Sequence, residues 1–189
     1  GINKLALPRP NDLIPTNFDL VSKAFPMKGG NSEDLLEQPP KLLSTATMPT
    51  IAGKWDVWHK LDYSFQQPKI YAIFALSVPK TEYDANFVVY SKLFALVLLD
   101  SLNEYLYEAR LAGLSFNLEF TSRGLQFTFT GFNDKMDAFV KNTLNKIINL
   151  EVIDTSLGAD NNNEKVSLKT IERYRDLLLR EYKGWKTQQ

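Results

Sequence analysis

The 189 residues carry 22 basic and 22 acidic side chains, so the formal charge is zero and no long-range field draws the chain to phosphate backbones or anionic lipid. With 44% hydrophobic and 12% aromatic residues the chain can bury one real core, while two full domains would be a squeeze. The lack of cysteine excludes disulfides and thiolate metal sites and suits a reducing, cytoplasmic setting, and the longest apolar run, at 93–99, is far below the about 20 residues that cross a bilayer.

Residues 1–54 hold seven of the nine prolines, each removing a backbone donor, so no long helix is predicted there. Within this leading segment, MKGGNSEDLLEQPP predicts a surface loop. An α+β unit is expected over 55–189. KWDVWHKLD (54–62) and PKIYAIFALSVP (68–79) are rich in aromatic and β-branched residues, which predicts two strands that pair with each other. TEYD, from Thr81 to Asp84, matches a capping box, so one long helix is predicted to run to about Ala112, with Gly113 as its left-handed cap.

LSFNLEF and LQFTFTGF then alternate strictly and predict a hairpin with Leu114, Phe116, Leu118, Phe120, Leu125, Phe127 and Phe129 on one oily face. DKMDAFVKNTLNKIINLE places Met136, Phe139, Val140, Leu144, Ile147 and Ile148 at helical spacing, with Asn133 or Asp134 as N-cap. After a polar break at 157–165, a last helix is expected over about 167–184. The order β-β-α-β-β-α-α predicts an α+β fold, a mostly antiparallel sheet with amphipathic helices on one face.

Site chemistry is thin. A metal centre needs two or three imidazole or carboxylate ligands, and His59 is the only histidine, read as an imidazole packed beside Trp55 and Trp58. No GxSxG, GxxxxGK or GxGxxG is present. Asp100, Glu104 and Glu108 lie at four-residue steps and would share one face of a helix, read as solvated rather than as a cation site. Glu172, Arg173, Arg175, Asp176, Arg180 and Glu181 read as an exposed helix flank, and Tyr174, Tyr182 and Trp185 as packing.

Three stretches together are more specific: LPRPNDLIPTNF (7–18), DSLNEYLYEARLAGLSF (100–116) and GLQFTFTGFNDK (124–135). They resemble the middle, third unit of the pitrilysin and insulinase family of zinc metalloendopeptidases, and HKLDYSFQQPKIYAIFALSVP fits that family's strand pair. The resemblance rests on Pro15, Phe18, Asp100, Leu102, Asn103, Glu104, Tyr107, Ala112, Gly113, Leu114, Gly124, Gly131, Asn133, Asp134 and Lys135, which it implies are structural. It implies a parent of four similar units. The first holds zinc through HxxEH and a distant Glu, and the halves close around peptides.

By order of elements, the helix over 84–112 corresponds to the zinc helix of an active unit, yet reads NFVVYSKLFALVLLD where a histidine pair would be needed. The resemblance therefore implies a non-catalytic unit with no catalytic or metal residue of its own, whose partners are the other units and peptide substrates. The uniformly apolar run at 93–99 is expected to be buried on all sides, as scaffold. The Asn-rich stretch at 160–163 and the insert at 29–40 resemble additions of divergent fungal members, which implies a pheromone-maturing parent. Gly1 and Gln189 are expected to be the ends of an excised piece, truncated at its C-terminus, with a sheet edge or helical face left uncovered.

Two other classes stay open. One is an interaction or dimerisation module, a homo-oligomer included, using Trp55, Trp58 and Trp185 as anchors. The other is an unrelated enzyme using Asp100, Glu104 and a tyrosine for acid–base work.

Overall fold

The computed structural model describes residues 9–20, 39–43, 56–62, 65–77, 84–121, 124–153 and 165–187. The chain falls into two compact units, Gly1–Thr16 with Lys69–Gln189, and Asn17–Pro68. In the smaller unit, β1 (Lys41–Leu43) pairs antiparallel with β2 (Val57–His59), with Leu42 opposite Trp58. The expected pairing of β2 with the strand that follows it is therefore corrected. Local pattern names strands but not their partners, and β2 finds its partner upstream. Predicted features at 27–38, Trp55 and Thr81 lie outside the described residues.

The larger unit is built on a three-stranded antiparallel sheet in the order β3-β5-β4. Its strands are β3 (Lys69–Ser77), β4 (Leu114–Thr121) and β5 (Gly124–Phe132), with β5 in the centre. The predicted hairpin and its oily face are present: Leu114, Leu118, Phe127 and Phe129 are buried. Ser115, Asn117 and Glu119 point the other way and are exposed, as period-two alternation requires.

Helices α1 (Ala85–Ser101), α2 (Asn103–Leu111) and α3 (Asn133–Ile148) pack on the oily face, and Leu98, Leu102, Leu106, Ala109, Met136 and Phe139 complete one core with it. A parallel pair, β6 (Glu151–Ile153) and β7 (Lys165–Ser167), precedes the last helix, α4 (Leu168–Thr187), which packs along α1. The α+β architecture with a mostly antiparallel sheet is thus the fold of the chain.

Three local expectations change. The long helix is two helices, bent by 62° at Leu102. Ser101 Oγ donates to the Leu98 carbonyl at 2.7 Å, the kind of hydroxyl back-bond that loosens a helical turn, and the bend carries Leu102 fully into the core. The N-cap of α1 is Asp84 itself, whose carboxylate accepts from the Phe87 amide at 2.8 Å. On α3, residue 132 rather than Asn133 or Asp134 holds the N-cap position and makes no side-chain cap bond. Ile148 is exposed at the end of that helix, and Thr143, with its hydroxyl donating to the Phe139 carbonyl at 2.7 Å, takes the buried place instead.

The hydrogen bond from Phe87 holds the Asp84 carboxyl below its ordinary value of 3.8. A depressed pKa contributes stability that is fully present above the ordinary value and is lost as pH falls through the folded one. The stability difference between the natural chain and Asp84→Ala is therefore expected to be constant at neutral pH and to shrink as pH drops below 3.8, which urea unfolding across an acid series would show.

No single described helix is long and apolar enough to cross a membrane. The α1–α2 pair meets the length and composition test together, but it is sharply bent and buries Leu98, Leu102, Leu106 and Ala109 against the sheet.

Candidate functional site

Part of the set of residues singled out in sequence, Gly113, Gly131 and Asp134 among them, converges at one end of the sheet. Gly113, which follows α2 with φ +77, lies against the Phe132 ring, and Gly131, with φ +139, faces the Gly113 carbonyl and Leu114. A Cβ on Gly131 would sit 2.4 Å from that carbonyl oxygen, so the chain entering β4 and the end of its hairpin partner β5 meet backbone to backbone. Ala112 and Leu114 are buried beside them.

The third stretch closes the same junction. Asn11 Nδ2 donates to the Glu108 carbonyl at 2.8 Å, near the end of α2, and Leu13 enters the core. At its far side the Thr16 amide and hydroxyl both donate to Asp134 Oδ2, at 2.9 and 3.2 Å, in the first turn of α3. An anion there is also favoured by the exposed amides of the helix start. Pro15 is half-buried between these anchors, and Lys135 Nζ lies 3.7 Å from the Asp134 carboxylate. Asn133 begins α3.

Other singled-out residues stand apart from the junction. Phe18, Asn103, Glu104 and Tyr107 are exposed, and Gly124, with φ +137, begins β5 at the opposite end of the hairpin. Asp100 pairs with Arg173 of α4 at 3.1 Å, an exposed contact of a few tenths of a kcal/mol. The bend at Leu102 separates Asp100 from Glu104 and Glu108, so the predicted acidic stripe on one straight helix does not form. All three acids are exposed to solvent.

Two features were not anticipated. The Tyr105 hydroxyl is buried without a hydrogen-bond partner among the described residues, with the Lys146 ammonium 5.1 Å above its ring. Burial pushes the phenol above 10.0; Thr143 and Asn142 lie close enough to oppose that shift but do not reach hydrogen-bond geometry. An unpartnered buried hydroxyl costs stability, so Tyr105→Phe is expected to leave the melting point unchanged or raise stability by about 1 kcal/mol, whereas a clear loss would mean the hydroxyl has a partner. The second is exposure on α1: Val97 and Leu98 are buried, but Phe94, Tyr90 and Val89 are exposed. The expected burial of 93–99 on all sides is corrected, because α4, β4 and α2 cover only part of the helix.

Among the described residues no group of three histidine, cysteine, aspartate or glutamate side chains is arranged to hold a metal. The site is a packing junction that fixes α2, α3 and the sheet to one another. The sequence model for the middle or third domain of peptidase M16 matches residues 1–189. The chain belongs to the M16 peptidase family.

Insulin-degrading enzyme of Drosophila melanogaster is 33% identical over 149 residues, covering 79% of this chain and 13% of that protein. The A-factor-processing enzyme of Saccharomyces cerevisiae is 32% identical over 137 residues, covering 72% of this chain and 12% of the relative. Crystalline pitrilysin shares the fold, with a TM-score of 0.65 at 17% identity, over 94% of this chain and 16% of that one. The chain spans about an eighth of the length of the curated M16 relatives it matches. The junction at Gly113, Gly131, Thr16 and Asp134 lies within the stretch that the middle-domain sequence model matches.

Proposed function

We propose that this chain is a catalytically silent unit of a zinc endopeptidase, walling part of a peptide chamber and positioning neighbouring units, with the zinc held elsewhere in the parent. The observation that carries this reading is α1 itself. The helix reads ANFVVYSKLFALVLLDS, with no histidine and no acid before Asp100, and its inner residues Val97 and Leu98 are packed into the core. A helix that holds a catalytic ion must turn polar ligands to a water-filled cleft. Here the inner side is packed and the exposed side carries Val89, Tyr90 and Phe94, none of them a metal ligand.

Enclosure serves peptidolysis because a chamber holds an extended peptide at the metal through many weak contacts and keeps folded proteins out. Maturation of a pheromone and a cytoplasmic setting are the finer parts of this proposal, and the yeast relative is named an A-factor-processing enzyme. The singled-out motif residues act in it as structural anchors rather than reacting groups. The parent would use this unit through its contacts with other units and with peptides.

The test is made in the full-length protein. His59, exposed on the short strand β2, is replaced by alanine, and bound zinc and kcat/KM are measured. Both are expected to stay within about twofold of the natural protein, as for a surface change away from the reacting groups. Loss of one zinc equivalent together with activity would overturn the reading.

Trp58, 63% exposed, favours a second reading, a docking or dimerisation module independent of proteolysis. Sedimentation of the protein and of Trp58→Ala separates the two, since this module would lose self-association or partner binding while peptidase activity stayed intact.

A further inference from the structure

Residues 9–16 sit on the larger unit without belonging to any of its helices or strands. They are shaped as a knob. Asn11 Oδ1 accepts from the Leu13 amide at 3.0 Å and the Asn11 carbonyl from the Ile14 amide at 3.2 Å, a turn closed by its own first side chain. Pro10 and Pro15 stiffen the chain on either side of it. The turn drives Leu13 into the core cluster at 6% exposure, while Arg9, Pro10, Asp12, Ile14 and Thr16 stay exposed. The polar groups that receive the knob are acceptors, and the knob presents donors. The Glu108 carbonyl, one of the last four of α2, takes Asn11 Nδ2 at 2.8 Å. The Asp134 carboxylate, in the first turn of α3, takes the Thr16 amide and hydroxyl at 2.9 and 3.2 Å.

We propose that the surface joining the end of α2 to the start of α3 is a binding site for a short peptide turn, filled in cis by residues 9–16 and open to exchange. Its ligand offers a side-chain amide donor, an apolar side chain two residues on, and a hydroxyl with its own amide three residues beyond that. Among the described residues, one buried leucine and three hydrogen bonds are set against the entropy of ordering eight residues, a near balance. A segment held by so little leaves and returns while the helices stay folded. Beyond Thr16 the chain passes into the smaller unit and rejoins the larger one only at Lys69. The contact therefore closes a loop of about fifty residues, and the segment binds as a tethered ligand. An acid in place of Asn11 or Thr16 would face a carbonyl or a carboxylate, so acidic segments are refused.

The probe is the fluorescein-labelled, amidated octapeptide RPNDLIPT, titrated by anisotropy against the full-length protein and against its Asn11→Ala/Thr16→Val variant, which strips donors from the resident segment at positions outside the core. The variant is expected to bind the probe at least about tenfold more tightly than the natural protein, where the tethered segment competes. A probe carrying Leu13→Ala is expected to bind neither. Equal affinity for the two proteins, no binding to either, or undiminished binding of the alanine probe would each overturn the proposal. Hydrogen exchange of the unsubstituted protein gives a second reading that needs no variant. The Leu13 and Thr16 amides should exchange at least about 100-fold faster than those of Leu106 and Phe139, and exchange at the rate of those core amides would mean that the segment opens only with the whole unit, which overturns the proposal as well. Neither readout involves peptidase activity, so a silent-unit assignment that failed would leave this result intact.

Discussion

Gly131→Ala is expected to be the most damaging single-methyl change in the chain. At φ +139 the residue occupies backbone space that side-chain-bearing residues rarely enter, and the new Cβ would meet the Gly113 carbonyl oxygen at 2.4 Å and Leu114 Cα at 2.9 Å. Both obstacles are main chain, so no rotamer change relieves them. Strain of 1–3 kcal/mol for the conformation and a similar amount for overpacking gives a loss of about 3–5 kcal/mol, or roughly 10 °C in melting temperature.

Gly184→Ala is the control. It lies in α4, its added Cβ meets nothing within 4 Å, and the gain in helix propensity should stabilise by about 0.5–1 kcal/mol. Equal effects at the two positions would remove the junction from the account. In the full-length protein, the scaffold reading further expects Gly131→Ala to lower activity in step with the folded fraction while zinc content stays unchanged.

This junction also shows what sequence does and does not disclose. The stretches at 7–18, 100–116 and 124–135 were legible as family motifs, and the predicted hairpin already sets Leu114 opposite Gly131, but nothing in their order says that Thr16 reaches Asp134 or that Asn11 reaches Glu108. Period-two alternation announced the hairpin because Leu114, Phe116, Leu118, Leu125, Phe127 and Phe129 all lie on the core face. The partner of β3 was not legible, since pairing across some fifty residues is decided by the whole core rather than by local pattern.

The bend at Leu102 was hidden for a different reason. Every residue from Asp100 to Glu104 tolerates a helix, and the break follows from the buried position of Leu102 together with the Ser101 back-bond to Leu98. The uniform oiliness of α1 predicted burial but carried no information on which side would be covered, because a helix apolar all round has no preferred face. Its exposed Tyr90 and Phe94 are the residue of that ambiguity.

Phe129→Ala should approach the same magnitude through a cavity instead of a clash. Phe129 is fully buried in the central strand and touches three rings: Phe116 at 4.9 Å, Phe139 at 5.6 Å in edge-to-face geometry, and Phe74 at 5.7 Å, also edge-to-face. It therefore ties β3, β4 and α3 together from one position, and truncation is expected to cost about 3–5 kcal/mol by urea unfolding. Its coupling to α3 is measurable. Phe139 is equally buried and meets Phe129 directly, so the double variant Phe129→Ala/Phe139→Ala should be less destabilised than the sum of the singles by about 1 kcal/mol. Strict additivity would mean that the helix and the sheet are held by separate contacts, in which case α3 could loosen without disturbing the strands. Coupling means that the ring cluster locks the helix and the strands as one body, as the proposed wall role would require.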